Sequence, residues 1–234
     1  METELAIGDV TVDVVFKDIK NVHLSVYPPT GRVRVSAPND MKLETIRLFA
    51  LSKIGWIKRN QRKIKSQARE TPREFLERES HYLWGRRYLL RIEDHYDRSD
   101  VLLGHKTIEM NVPKGATLDQ KRDLLFDWYR VELREAATPI IAHFEKVLNV
   151  EVRRFFIQQM RTKWGSSSPA KRSIRLNLNL ARFEQDSLRY VILHEMAHFI
   201  VPNHSARFVS ILDLHMPGWR IIRDKLNYGP LTEF

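Results

Sequence analysis

Cysteine is absent from the 234 residues, which removes disulfides, thiolate metal ligands and cysteine nucleophiles together. Any metal site must therefore draw on His, Asp or Glu. No apolar run approaches the roughly 18 to 20 residues of a membrane-spanning helix. The acidic start, Met1-Glu2-Thr3-Glu4, lacks the basic and apolar regions of a secretory leader. A cytoplasmic protein without a membrane partner is expected. Glycine and proline number only 9 and 10, and there is no repeat or low-complexity tract, so collagen-like and disordered classes are excluded. What the chain does have is positive charge. Its formal net charge is +10, on a background of 43% hydrophobic and 29% charged residues that is ordinary for a folded domain. Such a surplus suits an anionic partner, a nucleotide or nucleic acid, without demonstrating one.

Hydrophobic periodicity organises the chain. Val12, Val14 and Phe16 alternate with polar neighbours, as do Val22, Leu24 and Val26, then Val33 and Val35, so residues 10–36 predict strands with a turn at Tyr27-Pro28-Pro29-Thr30-Gly31. A long helix is predicted over 41–65, with Leu43, Ile46, Phe49, Ala50, Ile54 and Ile57 as its core stripe. On that helix Lys58, Arg62, Lys65 and Arg69 line one face, which could track a phosphate backbone and is more commonly a solvated surface. Short strands return over 82–112. Thr117-Leu118-Asp119-Gln120 opens a second long helix with a capping box, expected to kink or break at Pro139 before ending near Leu148. The polar stretch 67–80 is the candidate boundary.

The chemistry is concentrated in His194-Glu195-Met196-Ala197-His198. Four residues are one helical turn plus about 40°, so both imidazoles leave the same face and can bind one Zn²⁺. Glu195 falls beside the first of them, close enough to act on water without ligating. Paired histidines alone are common packing residues; with the glutamate between them, accident falls to roughly a few per cent. Pro202 must end the helix, expected over 184–201. The chain can then swing back to offer His204 as a third ligand, with Ser205 capping the next helix. Three His leave a fourth zinc position for water, the arrangement of a catalytic site. His23, His81, His95, His105, His143 and His215 have no partner at ligand spacing and are assigned to no metal. The same spacing occurs in metzincins, but those carry glycine where Val201 stands.

Upstream, Ile174, Leu176, Leu178 and Leu180 alternate with Arg175, Asn177 and Asn179, predicting a strand that could be the edge for an extended peptide. Arg161, Lys163, Asn177 and Arg207 are positional candidates for stabilising an oxyanion. Trp164-Gly165-Ser166 reads as a tight turn, with Trp164 favoured as a packing residue.

The segments Arg161-Thr-Lys-Trp-Gly-Ser-Ser-Ser168, Ile174-Arg-Leu-Asn-Leu178, Tyr190-Val-Ile-Leu-His-Glu-Met-Ala-His198 and Asn203-His-Ser-Ala-Arg-Phe208 together resemble the YgjP-like metallopeptidases, relatives of the SprT and WLM zinc proteases. Leu83-Trp-Gly-Arg-Arg-Tyr-Leu89 and the opening strands and helix with Trp56-Ile57 extend the resemblance over nearly the whole chain. It implies an α+β fold with a zincin-like core, in a single unit. Residues 1–75 would form N-terminal strands and a long basic helix, and residues 80–234 the catalytic portion. It also implies one Zn²⁺ on His194, His198 and His204, with Glu195 as catalytic carboxylate. One departure is Ser167, where the family usually carries cysteine.

Three functions follow. The first is a zinc metallopeptidase acting on a peptide or protein substrate through activated water, with Glu195 as general base. The second is a zinc-dependent nucleotide phosphoanhydride hydrolase, which the same water and a basic pocket would suit. The third is a nucleic-acid-associated protease or binding module, drawing on Arg153, Arg154, Arg161, Lys163, Lys171, Arg172 and Arg175. The retained Glu195 and the peptide-edge strand favour the first.

Overall fold

Valines at every second position need a sheet with one dry face. In the N-terminal unit that sheet is formed by β1 (Glu2–Ile7), β2 (Val10–Lys17), β3 (His23–Tyr27) and β4 (Arg32–Pro38). The computed structural model describes residues 2–27, 30–66, 74–94, 99–160 and 162–228, and the chain divides into compact units of residues 1–68 and 69–234. Strand order in the first unit is β1-β2-β4-β3, with β2 and β4 parallel and the other pairs antiparallel. Val12, Val14, Val33 and Val35 are buried on its inner face beside Ile46, Ala50 and Ile57. Asp13, buried on β2, accepts a hydrogen bond from the Arg32 guanidinium. Two residues of the expected turn, Pro28 and Pro29, lie outside the described residues.

The expected single helix is two, α1 (Leu43–Ser52) and α2 (Ile54–Ser66). Lys53 leaves helical geometry, donating its N–H to Ala50, and its own carbonyl accepts from Ile57 to start the second helix. The break allows Ile57 to join Ile46 and Ala50 in one core, while Leu43, expected to be buried, is 41% exposed. On α2, Lys58 is ion-paired with Asp9 at 2.7 Å. The Lys65 side chain and Arg69 lie outside the described residues, so the basic stripe is followed only through Arg62.

Among the described residues the second unit holds two sheets. In the larger, β5 (Ser80–Leu83), β6 (Arg86–Asp94), β7 (Asp100–Leu103) and β8 (Thr107–Val112) run in the order β5-β6-β8-β7. These are the short strands expected over 82–112, with Tyr88, Leu90, Ile108 and Met110 buried. Helix α3 (Leu118–Leu148) begins with the expected capping box: Thr117 accepts from the Gln120 N–H and the Gln120 side chain accepts from the Thr117 N–H. It does not break at Pro139. Both Pro139 and Glu135, whose carbonyl loses its helical donor there, face solvent, so water can replace the missing bond. The buried stripe continues past it from Leu125 and Tyr129 to Ile141, Phe144 and Leu148.

The smaller sheet comprises β9 (Arg154–Gln158), β10 (Gly165–Ser168) and β11 (Ser173–Asn177) in the order β10-β11-β9. The strand expected to continue to Leu180 stops at Asn177 and gives way to a 3₁₀ turn, Leu178–Arg182. The Asn177 side chain accepts from the Asn179 N–H and initiates that turn. Helices α4 (Gln185–Ala197), α5 (Ala206–His215) and α6 (Trp219–Tyr228) complete the unit. The fold is therefore mixed α+β, as expected. Among the described residues no helix is long and apolar enough to cross a membrane.

Phe144 is fully buried in the core of the second unit. Replacing it with Ala should cost about 3–5 kcal/mol, measured as a lowered denaturation midpoint for that unit.

Candidate metal centre

Helix α4 is apolar on nearly every side: Leu188, Tyr190, Val191, Ile192, Leu193, Met196 and Ala197 are all buried. A helix of this kind belongs in a core, so the polar groups of its C-terminal half, His194 and Glu195, are desolvated. His194 and Glu195 sit in its last turn. The helix ends at Ala197, short of the expected 201, because the N–H groups of Phe199, Ile200 and Val201 turn back onto the Met196 and Ala197 carbonyls. His198, at the cap, keeps right-handed helical dihedrals, φ −66° and ψ −15°, so the four-residue geometry with His194 survives. The chain then turns through Pro202 and brings His204 back just ahead of α5. Ser205 stands at the cap position of α5, where its carbonyl accepts from Val209 at 3.0 Å, but its hydroxyl makes no cap bond.

The three imidazoles converge. One nitrogen from each of His194, His198 and His204 lies within 4.8 Å of the others, and the Nε2 atoms of His204 and His194 are 3.1 Å apart. All three rings rest on Phe208 of α5, with centroid separations of 5.0, 4.7 and 4.8 Å. The opposite nitrogens have other neighbours. His198 Nδ1 is 3.2 Å from the Val201 carbonyl, to which it can donate, and His194 Nδ1 is 3.5 Å from the Tyr190 hydroxyl. Burial, reinforced by His198 and His204, holds the His194 pKa down to about 4. Burial also lowers that of His198, partly opposed by its bond to Val201. Neutral imidazoles with converging lone pairs are the ligand form, so these residues could hold a metal ion.

Glu195, 7% exposed, packs against β10. In the register of β10 on β11, Gly165 and Ser167 pair with Leu176 and Ile174, both buried, so this face of β10 looks inward to α4. A Cβ on Gly165 would lie 2.8 Å from both Cγ and Oε1 of Glu195 and 2.9 Å from Val191. The Ser167 side chain hydrogen-bonds to Glu195, and the charge of Lys163 also acts on it. Burial outweighs both and pushes the carboxyl pKa up to about 7. Glycine inside a strand signals a close backbone approach, which is how Gly165 could have been recognised. Its expected tight turn is instead the start of β10.

Two of the other candidates have structural roles. Asn177 is 3% exposed. Its amide donates to the Met160 and Lys163 carbonyls, each at 2.8 Å, so it braces the loop before β10 rather than facing substrate or solvent. Trp164 packs edge-on against Phe183 at 5.0 Å, the favoured packing role. Arg207 is exposed on α5, and Arg161 lies outside the described residues. Part of the basic cluster is neutralised within the protein, because Arg153 and Arg172 both pair with Glu151. Phe208 and Tyr190 were not singled out from sequence. Tyr190 stands four residues before His194, the spacing at which helical side chains meet.

A His-Glu-x-x-His turn with a third histidine folded back onto it defines a candidate metallopeptidase centre. Residues 20–228 match the YgjP-like family, metallopeptidase domain, and the chain belongs to that family. Comparison with curated proteins finds no match. Among solved structures, the metallopeptidase zymogen abylysin of Pyrococcus abyssi is similar at 20% identity and a TM-score of 0.36, over 41% of this chain and 99% of that one. The metallopeptidase zymogen jannalysin of Methanocaldococcus jannaschii is 28% identical, also with a TM-score of 0.36, over 38% of this chain and 92% of that one.

Gly165→Ala should force Glu195 or Val191 from its position. The expected cost is about 1–3 kcal/mol in unfolding free energy, measured by denaturation.

Proposed function

We propose that this chain is a zinc-dependent metallopeptidase in which His194, His198 and His204 hold one Zn²⁺ and Glu195 is the general base. The observation that carries this reading is the convergence of three imidazole nitrogens within 4.8 Å, one residue from a buried carboxyl. Three nitrogen donors with no thiolate match the ligand set of catalytic zinc sites. Zinc bound there would supply a Lewis acid that activates water and polarises a carbonyl.

The protein's own groups account for the remaining steps. Glu195 takes a proton from the attacking water and delivers it to the departing amine. Gly165 and Ser167 keep that carboxylate in one rotamer, so little reorganisation precedes the transfer. Among the described candidates, Lys163, whose charge reaches Glu195, is the cation assigned to favour the developing negative charge. A peptide would lie along β10. The expected edge strand, β11, is central in the sheet, whereas β10 is at the margin and carries Gly165 beside Glu195. Pairing of an extended substrate with that margin brings its backbone past the carboxyl group.

Glu195→Gln should retain one zinc per chain and lose about 10²–10⁴-fold in peptide turnover, whereas His194→Ala should lose both metal and activity. Elemental analysis and a peptide-library assay, run beside a nucleotide panel, check this. Full activity in Glu195→Gln would sink the assigned base, and turnover confined to nucleotides would sink the peptidase reading. Chelation should abolish turnover, and added zinc should restore it.

A further inference from the structure

The His194 ring is approached from the side away from the triad by a chain of contacts spanning three helices. The Tyr190 hydroxyl is 3.5 Å from His194 Nδ1, and the two rings meet edge to face at 5.8 Å. The Tyr190 ring is stacked on Trp219 of α6, with centroids 5.9 Å apart and planes inclined by 7°. Both residues are 6% exposed, so neither ring can turn without opening the core. Trp219 is itself fixed. Its indole N–H donates to Asp213 of α5 at 2.8 Å, and the guanidinium groups of Arg220 and Arg223 lie 4.6 and 5.2 Å from its ring. Asp213 also accepts from Arg220 at 2.5 Å, closing the assembly at the surface.

An imidazole that binds metal through one nitrogen needs a partner for the N–H on the other, because that partner selects the tautomer and fixes the ring plane. His198 has the Val201 carbonyl in this role. For His194 the tyrosine hydroxyl is the group in place, and a hydroxyl oxygen can accept. We propose that Tyr190 is the positioning residue of the metal centre. It accepts the Nδ1–H of His194 and presents Nε2 to the ion, while the Trp219–Asp213 pair holds Tyr190 at the required angle. Helices α5 and α6 thereby contribute to metal affinity without supplying a ligand from α6. This inference rests on His194 being a metal ligand.

The test compares full-length wild type with Tyr190→Phe, which keeps the ring stack and removes only the hydroxyl. Zinc affinity is read by competition with a chromophoric chelator, and ligand geometry by the visible spectrum of the cobalt-substituted protein. Tyr190→Phe should weaken zinc binding about 10–100-fold and alter the cobalt bands, while thermal unfolding of the metal-free chain stays close to wild type. Trp219→Phe, which leaves the hydroxyl in place but removes the bond to Asp213, should shift affinity in the same direction by less. Wild-type zinc affinity and an unchanged cobalt spectrum in Tyr190→Phe would overturn the assignment of Tyr190 alone. Equal zinc uptake by wild type and His194→Ala would instead overturn the ligand set on which it depends.

Discussion

Between His198 and His204 the chain must leave a helix, reverse, and return an imidazole to within hydrogen-bond range of His194. The site depends on that reversal. Backbone groups released at the end of α4 are taken up at once by the Met196 and Ala197 carbonyls, so the turn is tight and leaves few buried donors without acceptors. Phe208 completes it, since one aromatic ring from the following helix supports all three imidazoles. Burial disfavours a proton on His194 and His198, which leaves their lone pairs available to a cation.

Glu195 has a separate support. Its environment comes from a strand rather than from the histidines: Gly165 leaves the space it occupies, and Ser167 hydrogen-bonds it. The resemblance to the family leads to cysteine at position 167, and serine there has a specific contact to the carboxyl group. A hydroxyl is a stronger hydrogen-bonding group than a thiol, so the departure preserves a polar contact at the position where it matters. The three imidazoles and the Glu195 carboxyl are thus supported by different elements, α5 and β10. The margin of the small sheet consequently lies beside that carboxyl.

Charge has a smaller part than composition suggests. Glu151 binds Arg153 and Arg172, and Asp9 binds Lys58, so several of the residues that look like an anion-binding cluster in sequence are engaged within the fold. Sequence adjacency of basic residues reports a local surplus; which carboxylates fold back onto it is a matter of long-range packing.

Short-range rules were sufficient for much of this protein. The alternation of valines, the Thr117–Gln120 capping box and the one-turn spacing of His194 and His198 depend only on the periods of helix and strand, which are properties of the backbone. Elements failed where the outcome hung on solvent exposure or on a distant partner. Pro139 stays within a helix because its turn faces water, Lys53 divides a helix so that two apolar faces reach one sheet, and Asn177 is buried because two loop carbonyls require donors. The return of His204 was expected from the helix break at Pro202, whereas the glycine-sized space for Glu195 and the stack of Tyr190 on Trp219 were decided by tertiary structure alone. Each joins residues from separate elements, and no local periodicity encodes which face of one element will meet another.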